Sequence, residues 1–126
     1  MTDFLHAKLP DHSALLSGRS PRNEDGFQSS QLQILYRNTD EGWRDPAPHM
    51  HRDSDECFIV LKGSVMMDVE GQVFTIGPRE YCCIPRGVYH SLLGSDPPVE
   101  ALIIRAPSVE DKVYRDNFAH TPDFLR

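Results

Sequence analysis

The sequence predicts an all-β fold, either a sandwich or a barrel. Short apolar stretches recur at regular spacing and are separated by glycine and proline residues. No stretch shows the apolar period of a long amphipathic helix. The 126 residues are enough for one domain that buries a single core.

Composition and charge argue against several classes of function. The formal net charge is −6 and no run of Lys or Arg occurs, which argues against a nucleic-acid partner. The sequence has no apolar run long enough for a membrane span, and its first residues, MTDFLHAKLP, show no secretory signal. Cys57, Cys82 and Cys83 are odd in number and fit no CxxC pattern, so we expect a cytoplasmic protein.

The chain divides into three parts. Residues 1–29 predict an irregular N-terminal arm, because Pro and Gly interrupt them, with one short strand or turn near 14–16. Residues 30–107 predict a β-domain. Residues 108–126 are expected to form a C-terminal tail with one or two helical turns, in which Ser108 is the N-cap and Asp111, three residues later, makes an imperfect capping box.

The β-domain contains several segments with strand character. They are QLQILYR (31–37), ECFIVLKG (56–63), the hairpin SVMMDVEGQVFTI (64–76), EYCCIP (80–85) and VEALIIRAP (99–107). The first places Leu32, Ile34 and Tyr36 on one face, and residues 38–48 follow it as a loop. The second segment is expected to end at Gly63.

The segment between that loop and the second strand carries metal-ligand residue types. His49 and His51 point to the same side of a strand, because side chains alternate. The residues RDSD that precede Glu56 favour a turn, so the chain can reverse and bring Glu56 beside the histidines. Two imidazoles and one carboxylate on one side are typical of sites for divalent first-row metals.

A further histidine follows a tight turn. Pro85 and Gly87 form this turn and deliver His90 to the start of another strand, which adds a third imidazole. The sequence therefore predicts one divalent metal ion, and its ligands are His49, His51, Glu56 and His90.

These residues give the sequence a resemblance to the cupin family. The first cupin motif is HxH, three or four residues, Glu, six residues and Gly; it is met by His49, His51, Glu56 and Gly63. The second motif is PxG, two residues and His; it is met by Pro85, Gly87 and His90. The resemblance covers about residues 30–107 and implies a small antiparallel β-barrel, or jelly roll, that holds the metal inside.

Three departures from the family pattern concern turns around the pocket. Gly42 lies one residue too far from the first motif, Arg79 stands where a Gly is expected, and Gly94 replaces a frequent Asn. All four ligand positions are retained, so the departures leave the predicted metal site intact.

The predicted site permits two kinds of chemistry on a small organic substrate. With Fe(II) it can act as a dioxygenase, whereas with Ni, Mn or Zn it can act as a Lewis acid in an isomerase, lyase or decarboxylase of a sugar- or polyketide-like molecule. Lewis-acid isomerisation needs a separate acid or base, and Tyr89, Glu80 and Arg79 are poorly placed for it. The sequence therefore favours an Fe(II)-type dioxygenase. A non-catalytic ligand-binding cupin is a further alternative.

The strand ECFIVLKG also predicts a homodimer. One face carries Phe58 and Val60, and the other carries Cys57, Ile59 and Leu61. Both faces are apolar, so both should be covered. Cupins are commonly dimers, and we expect a second copy of the chain to cover the outer face.

Other conspicuous residues have simpler interpretations. Arg105 either reaches into the pocket to hold an anionic substrate or ends its strand in solvent. Trp43 and Tyr36 are expected to be packing residues rather than pocket residues. Surface positions are expected for the remaining histidines, which are His6, His12 and His120. Cys57 is expected to be a small buried apolar residue, and no disulfide is expected between Cys82 and Cys83.

Overall fold

The structure, a computed structural model, describes residues 3–20 and 25–115, and they form eight β-strands with no helix among them. The strands are β1 (Ala14–Ser17), β2 (Gln33–Thr39), β3 (Asp45–His51), β4 (Asp55–Val69), β5 (Gln72–Ile76), β6 (Tyr81–Ile84), β7 (His90–Ala106) and β8 (Lys112–Tyr114). All pairings between them are antiparallel. The predicted all-β class is confirmed.

Two long strands, β4 and β7, organise the sheet. β7 pairs with β2, β3 and β4, and β4 pairs in addition with β5 and β6. Each long strand changes partners along its length, so the sheet curls around one interior instead of lying flat. The imidazole-bearing residues of β3 and β7 face this interior.

Gly63 does not end a strand, contrary to the sequence prediction. β4 continues through it, and the register with β7 shifts on both sides of it. Gly63 has a φ of 71°, and a Cβ built there would lie 2.7 Å from the Asp96 carbonyl oxygen and closer still to that of Pro98. Only glycine allows the two long strands to approach so closely at this bend.

The hairpin between β4 and β5 is confirmed. Glu70 and Gly71, the two turn residues, have φ values of 52° and 83°. Two central residues with positive φ are the signature of a type I′ turn, whose twist suits antiparallel strands. The flanking residues Val69 and Gln72 pair directly.

One apolar core fills part of the interior of the curled sheet. The inward residues of β4 are buried, as the alternation predicts, and those of β5, β6 and β7 pack against them. The buried cluster consists of Phe58, Val60, Val65, Met67, Ile76, Ile84, Leu92, Val99, Ala101 and Ile103.

The two ends of the described chain extend the sheet. The short strand expected near 14–16 is present as β1, which pairs with β2. The helix expected after Ser108 is wrong within the described residues, where 112–114 form β8 and pair with β3. Val113 and Tyr114 suit a strand, and the edge of β3 supplies the backbone partners. Residues 116–126 of the predicted tail lie outside the described residues.

Membrane-spanning helices were also sought. In the 3–20 and 25–115 segments, no helix is long and apolar enough to cross a membrane.

Candidate metal centre

Three histidines lie close together in the interior, next to the apolar core. His49 and His51 lie on β3, and His90 begins β7, directly opposite His49 in the sheet. All three are buried, and one ring nitrogen from each lies within 4.8 Å of the others. The sequence prediction that these side chains converge is therefore confirmed.

Hydrogen bonds at Nδ1 prepare the rings to bind a metal through Nε2. His49 Nδ1 lies 2.9 Å from the Ala47 carbonyl oxygen, and His90 Nδ1 lies 3.0 Å from that of Val88. A carbonyl oxygen only accepts, so both Nδ1 atoms carry a proton, and each ring, when neutral, keeps a lone pair on Nε2. Burial lowers the pKa of His49 to about 4, so this ring is neutral at pH 7, as metal binding requires.

Glu56 lies beside the histidines, as the turn at RDSD predicts. Its Oε1 is 2.9 Å from His90 Nε2, and its Oε2 is 3.5 Å from His51 Nε2. Burial alone would raise the pKa of Glu56, but the hydrogen bonds to His51 and His90 outweigh it and hold that pKa well below its usual range. The side chain is therefore a carboxylate near neutral pH.

The donor set fits a divalent cation. His90 Nε2 is an acceptor when Nδ1 holds the proton, yet it faces a carboxylate oxygen that also only accepts. Two acceptors this close need a proton or a cation between them. Three imidazole nitrogens and one carboxylate oxygen are ligands that first-row divalent metals accept.

Arg105 lies inside the barrel and does not end its strand in solvent, and its partners there are side chains of this chain. It is buried, and its Nη1 is 2.7 Å from His51 Nδ1 and 3.0 Å from Asp111 Oδ1. Its Nη2 donates to Gln33 Oε1 at 2.8 Å. The guanidinium thus lies against His51 on the Nδ1 side of its ring.

Asp111 is the functional residue that the sequence analysis missed. Its Oδ1 is 3.0 Å from His51 Nδ1, and its Oδ2 accepts from the Ser54 hydroxyl and the Asp53 backbone N–H. Burial alone would raise the pKa of Asp111, but these hydrogen bonds and His51 lower it. The sequence signal was misassigned, because Asp111 was interpreted as part of a helix cap.

The metal centre opens into a cavity of about 250 Å³. Its wall has an apolar part, which includes Leu35, Trp43 and Phe58, and an ionisable part. Besides the metal centre and Arg105, the ionisable residues on the wall are Arg37, Asp45, Glu110 and Lys112. Lys112 Nζ lies 3.2 Å from Asp45 Oδ2.

Trp43 and Tyr36 have different positions, although the sequence suggested packing for both. Trp43 lines the cavity, with its ring centroid 6.5 Å from that of Phe58. The packing interpretation is therefore incomplete for Trp43. Tyr36 is buried and does not line the cavity, and its hydroxyl donates to Glu100.

His6, His12 and the cysteines do not line the cavity beside the three clustered histidines. His6 and His12 are exposed, whereas His120 lies outside the described residues. Cys57 is half-buried, and its Sγ is 3.1 Å from that of Cys83 on the neighbouring strand β6. All three cysteines are free thiols.

Several solved structures share the fold. A variant of Streptomyces PAC13 with uridine is 14% identical, covers 91% of this chain and 92% of its own, and has a TM-score of 0.65. Pac13 is described as a unique nucleoside dehydratase. KdgF from Halomonas sp. is 20% identical over 63% of this chain and 72% of its own, with a TM-score of 0.56.

A third structure is the DMSP lyase DddQ from Ruegeria pomeroyi DSS-3. It is 23% identical over 87% of this chain and 53% of its own, with a TM-score of 0.59. At such identities the likeness establishes the fold alone. No curated protein gives a significant sequence match.

The sequence also matches a family directly. The family described as "Cupin domain" matches residues 37–105, which include all three clustered histidines, Glu56 and both predicted motifs. The match agrees with the curled antiparallel sheet and its buried histidines. This chain belongs to the cupin domain family.

Proposed function

We propose that this chain is a metal-dependent cupin enzyme that acts on a small organic molecule by acid–base chemistry, as a lyase, isomerase or decarboxylase. The ligands would be His49, His51, Glu56 and His90. The observation that carries the proposal is the carboxylate of Glu56 held 2.9 Å from His90 Nε2, an arrangement that a divalent cation would satisfy.

A divalent ion at these side chains would supply Lewis acidity toward a substrate oxygen atom. The chain itself would supply the proton transfer. Burial alone would lower the pKa of Lys112, but the neighbouring Tyr114 and the nearby charge of Asp45 raise it, so the ammonium keeps its proton at neutral pH. Lys112 at the cavity wall can therefore stabilise developing negative charge, and it can protonate a strongly basic oxygen such as an alkoxide.

Non-redox chemistry is better supported than the dioxygenase favoured by the sequence. That preference, and the preference for iron that accompanied it, rested on the lack of an acid or base beside the ligands. The cavity wall carries Asp45, Glu110 and Lys112, so that premise does not hold. Two proteins of similar fold, a nucleoside dehydratase and a DMSP lyase, are named for non-oxidative reactions.

The ionisable wall also favours an enzyme over a binding module. A purely apolar lining would suit ligand binding without turnover, because nothing on it could move a proton. The Lys112–Asp45 ion pair provides two groups with proton-transfer capacity at the wall of the same cavity as the metal centre.

The first test is elemental analysis of protein purified from its own host, for which we expect one divalent metal ion per chain. The second test reloads chelator-treated protein with Zn(II), Mn(II), Ni(II) or Fe(II). Nucleosides, sugars and hydroxy acids are then screened for turnover with and without O₂. We expect turnover that persists under strict anaerobiosis and with a metal other than iron.

A matched pair of variants tests the role of Lys112. Lys112→Met should lower kcat while leaving metal content unchanged, and Lys62→Met, at an exposed site on β4, should leave both unchanged. Turnover that requires Fe(II) and consumes O₂ in step with substrate would restore the dioxygenase. A protein without bound metal, or without affinity for any of the four ions, would overturn the proposed metal centre.

A further inference from the structure

Among the described residues, one cationic side chain on the cavity wall has no acidic partner. The wall carries three cationic side chains besides the histidines: Arg37, Arg105 and Lys112. Arg105 is paired with Asp111 at 3.0 Å, and Lys112 is paired with Asp45 at 3.2 Å. Within residues 3–20 and 25–115, no carboxylate lies in ion-pair contact with Arg37.

The surroundings of Arg37 make this lack of a partner informative. The residue is half-buried, and its guanidinium carbon lies 4.8 Å above the centroid of the Trp43 ring. Its Nε is fully buried and has no hydrogen-bond partner. Burial lowers the pKa of Arg37, yet an arginine keeps its charge at neutral pH. A half-buried cation whose Nε has no hydrogen-bond partner is costly, so an anion from outside the chain would stabilise it.

We propose that Arg37 and Trp43 form an oxyanion subsite, which binds the carboxylate or phosphate end of the small molecule on which the metal centre acts. The inference rests on the proposed function and adds the substrate class. The guanidinium is planar, and its parallel N–H groups match the two oxygens of such an anion. The cation–π contact with Trp43 restrains the guanidinium, which reduces the entropy lost when the anion binds.

The subsite is close enough to the metal centre for one small ligand to occupy both. The ring of Phe58 is 6.5 Å from that of Trp43 and 6.5 Å from that of His90. One aromatic ring therefore separates the subsite from the metal centre. Both lie on the wall of one cavity of about 250 Å³, which restricts the substrate to a small organic acid or phosphate ester.

Besides Glu56 of the candidate metal centre, two carboxylates on the same wall oppose an anion, and neither contacts Arg37. Asp45 is neutralised by Lys112, and Glu110 is exposed to solvent, where its charge is screened. The local balance at Arg37 and Trp43 is therefore positive. An anionic end is favoured there, while the uncharged or reacting end is directed toward the histidines.

Tryptophan fluorescence provides the experiment, because Trp43 is the single tryptophan of the chain. Full-length protein loaded with Zn(II) is titrated with propionate, with its neutral isostere propionamide and with inorganic phosphate. We expect propionate, phosphate or both to give a saturable change that propionamide does not give. The anion that responds identifies the source of the oxyanion.

Variants assign that response to Arg37. Arg37→Gln should weaken anion binding by about 10- to 100-fold, and Arg37→Lys by less, since an ammonium keeps the charge but loses the planar fork. Arg44→Gln, which removes an exposed cation next to Trp43, should bind the anion as the unmodified protein does. Elemental analysis should give the same zinc content for all of these proteins.

The outcomes separate the subsite from the metal centre. Anions that bind no better than propionamide, or that bind Arg37→Gln unchanged and lose affinity only when zinc is chelated, would overturn the subsite and leave the metal centre intact. Arg37-dependent anion binding by a chain that takes up no metal would support the subsite and overturn the proposed function.

Discussion

The three imidazoles of the metal centre are oriented in two different ways. His49 and His90 each donate Nδ1–H to a carbonyl two residues earlier in the chain, so their own strands fix the tautomer. His51 depends on Asp111, which lies sixty positions away in the sequence. Arg105 can donate a hydrogen bond to the same nitrogen when that nitrogen carries no proton, because its Nη1 lies 2.7 Å from His51 Nδ1.

The proton of His51 decides whether the ring can bind a metal. With the proton on Nδ1, Asp111 Oδ1 accepts from both His51 and Arg105, and Nε2 keeps its lone pair. With the proton on Nε2, the ring would accept from Arg105 at Nδ1 and face Glu56 with a hydrogen. We therefore expect Asp111 to be a positioning residue that favours the metal-binding tautomer, whereas Arg105 favours the other one.

We expect Asp111→Asn to weaken metal binding by roughly 10- to 100-fold, as loss of an outer carboxylate partner does at other metal sites. The amide is a weaker acceptor, and it turns an N–H toward Arg105 or His51. Isothermal titration of metal-free protein with Zn(II) measures the change. Asp53→Asn is the matched control, since that carboxylate is exposed and only its backbone N–H contacts Asp111.

Asp111 is also buried, so urea unfolding of the same variant is needed to separate the two roles. A variant that is less stable yet binds Zn(II) with unchanged affinity would show that Asp111 only supports the fold.

How much of the site could be predicted depends on how far apart in the sequence its contacting residues lie. His49, His51, Glu56 and His90 could be predicted because strand alternation and two turns bring them together from short segments. Asp111 could not, because its role depends on β8 lying beside β3. No local pattern in residues 108–115 specifies that pairing.

At the level of elements, strands were predicted better than their ends. The apolar segments before and after Gly63 were both recognised, but they form one strand. Likewise His90 and the segment 99–106 were predicted apart and belong to the single strand β7. Glycine indicates where a chain needs an unusual φ, and that need arises in a bend as well as at an end.

Gly63 in the bend of β4 and Gly71 in the turn between β4 and β5 both have positive φ, so the cost of adding a side chain can be compared at the two sites. Gly63→Ala should destabilise the protein by roughly 2–5 kcal/mol, because the left-handed backbone and the contact with the carbonyls of Asp96 and Pro98 both penalise a Cβ. Gly71→Ala should cost only about 1–2 kcal/mol, since nothing lies within 4 Å of its Cβ. Urea unfolding of both variants gives the two free energies.

The difference between the two free energies measures what the close approach of β4 and β7 adds to the cost of a side chain at Gly63. Equal losses of unfolding free energy in the two variants would contradict it, because they would attribute the whole cost to the backbone angle. Gly94→Ala, with open space and no positive φ, serves as the reference with little expected change.

At the scale of the whole molecule, the outer face of β4 is an apolar surface that the described part of one chain leaves partly exposed. Phe58 and Val60 point into the core, as alternation predicts, whereas Cys57 and Ile59 are only half-buried. Leu61 remains 38% exposed and Tyr81, on the neighbouring strand β6, 72% exposed. The described part of the N-terminal arm does not remove this exposure, because β1 lies at another edge, beside β2.

We therefore still predict that a second copy of the chain covers this face in a homodimer. Light scattering at micromolar concentration should give twice the mass of one chain. Leu61→Asp should shift the protein to a monomer without unfolding it, because a charge on the outer face is costly only when a partner buries it. Val73→Asp places the same charge at a site that is 56% exposed on β5, outside residues 57–61, and should leave the dimer intact. A monomeric unmodified protein would contradict the prediction, and a dimer insensitive to Leu61→Asp would move the interface to another face.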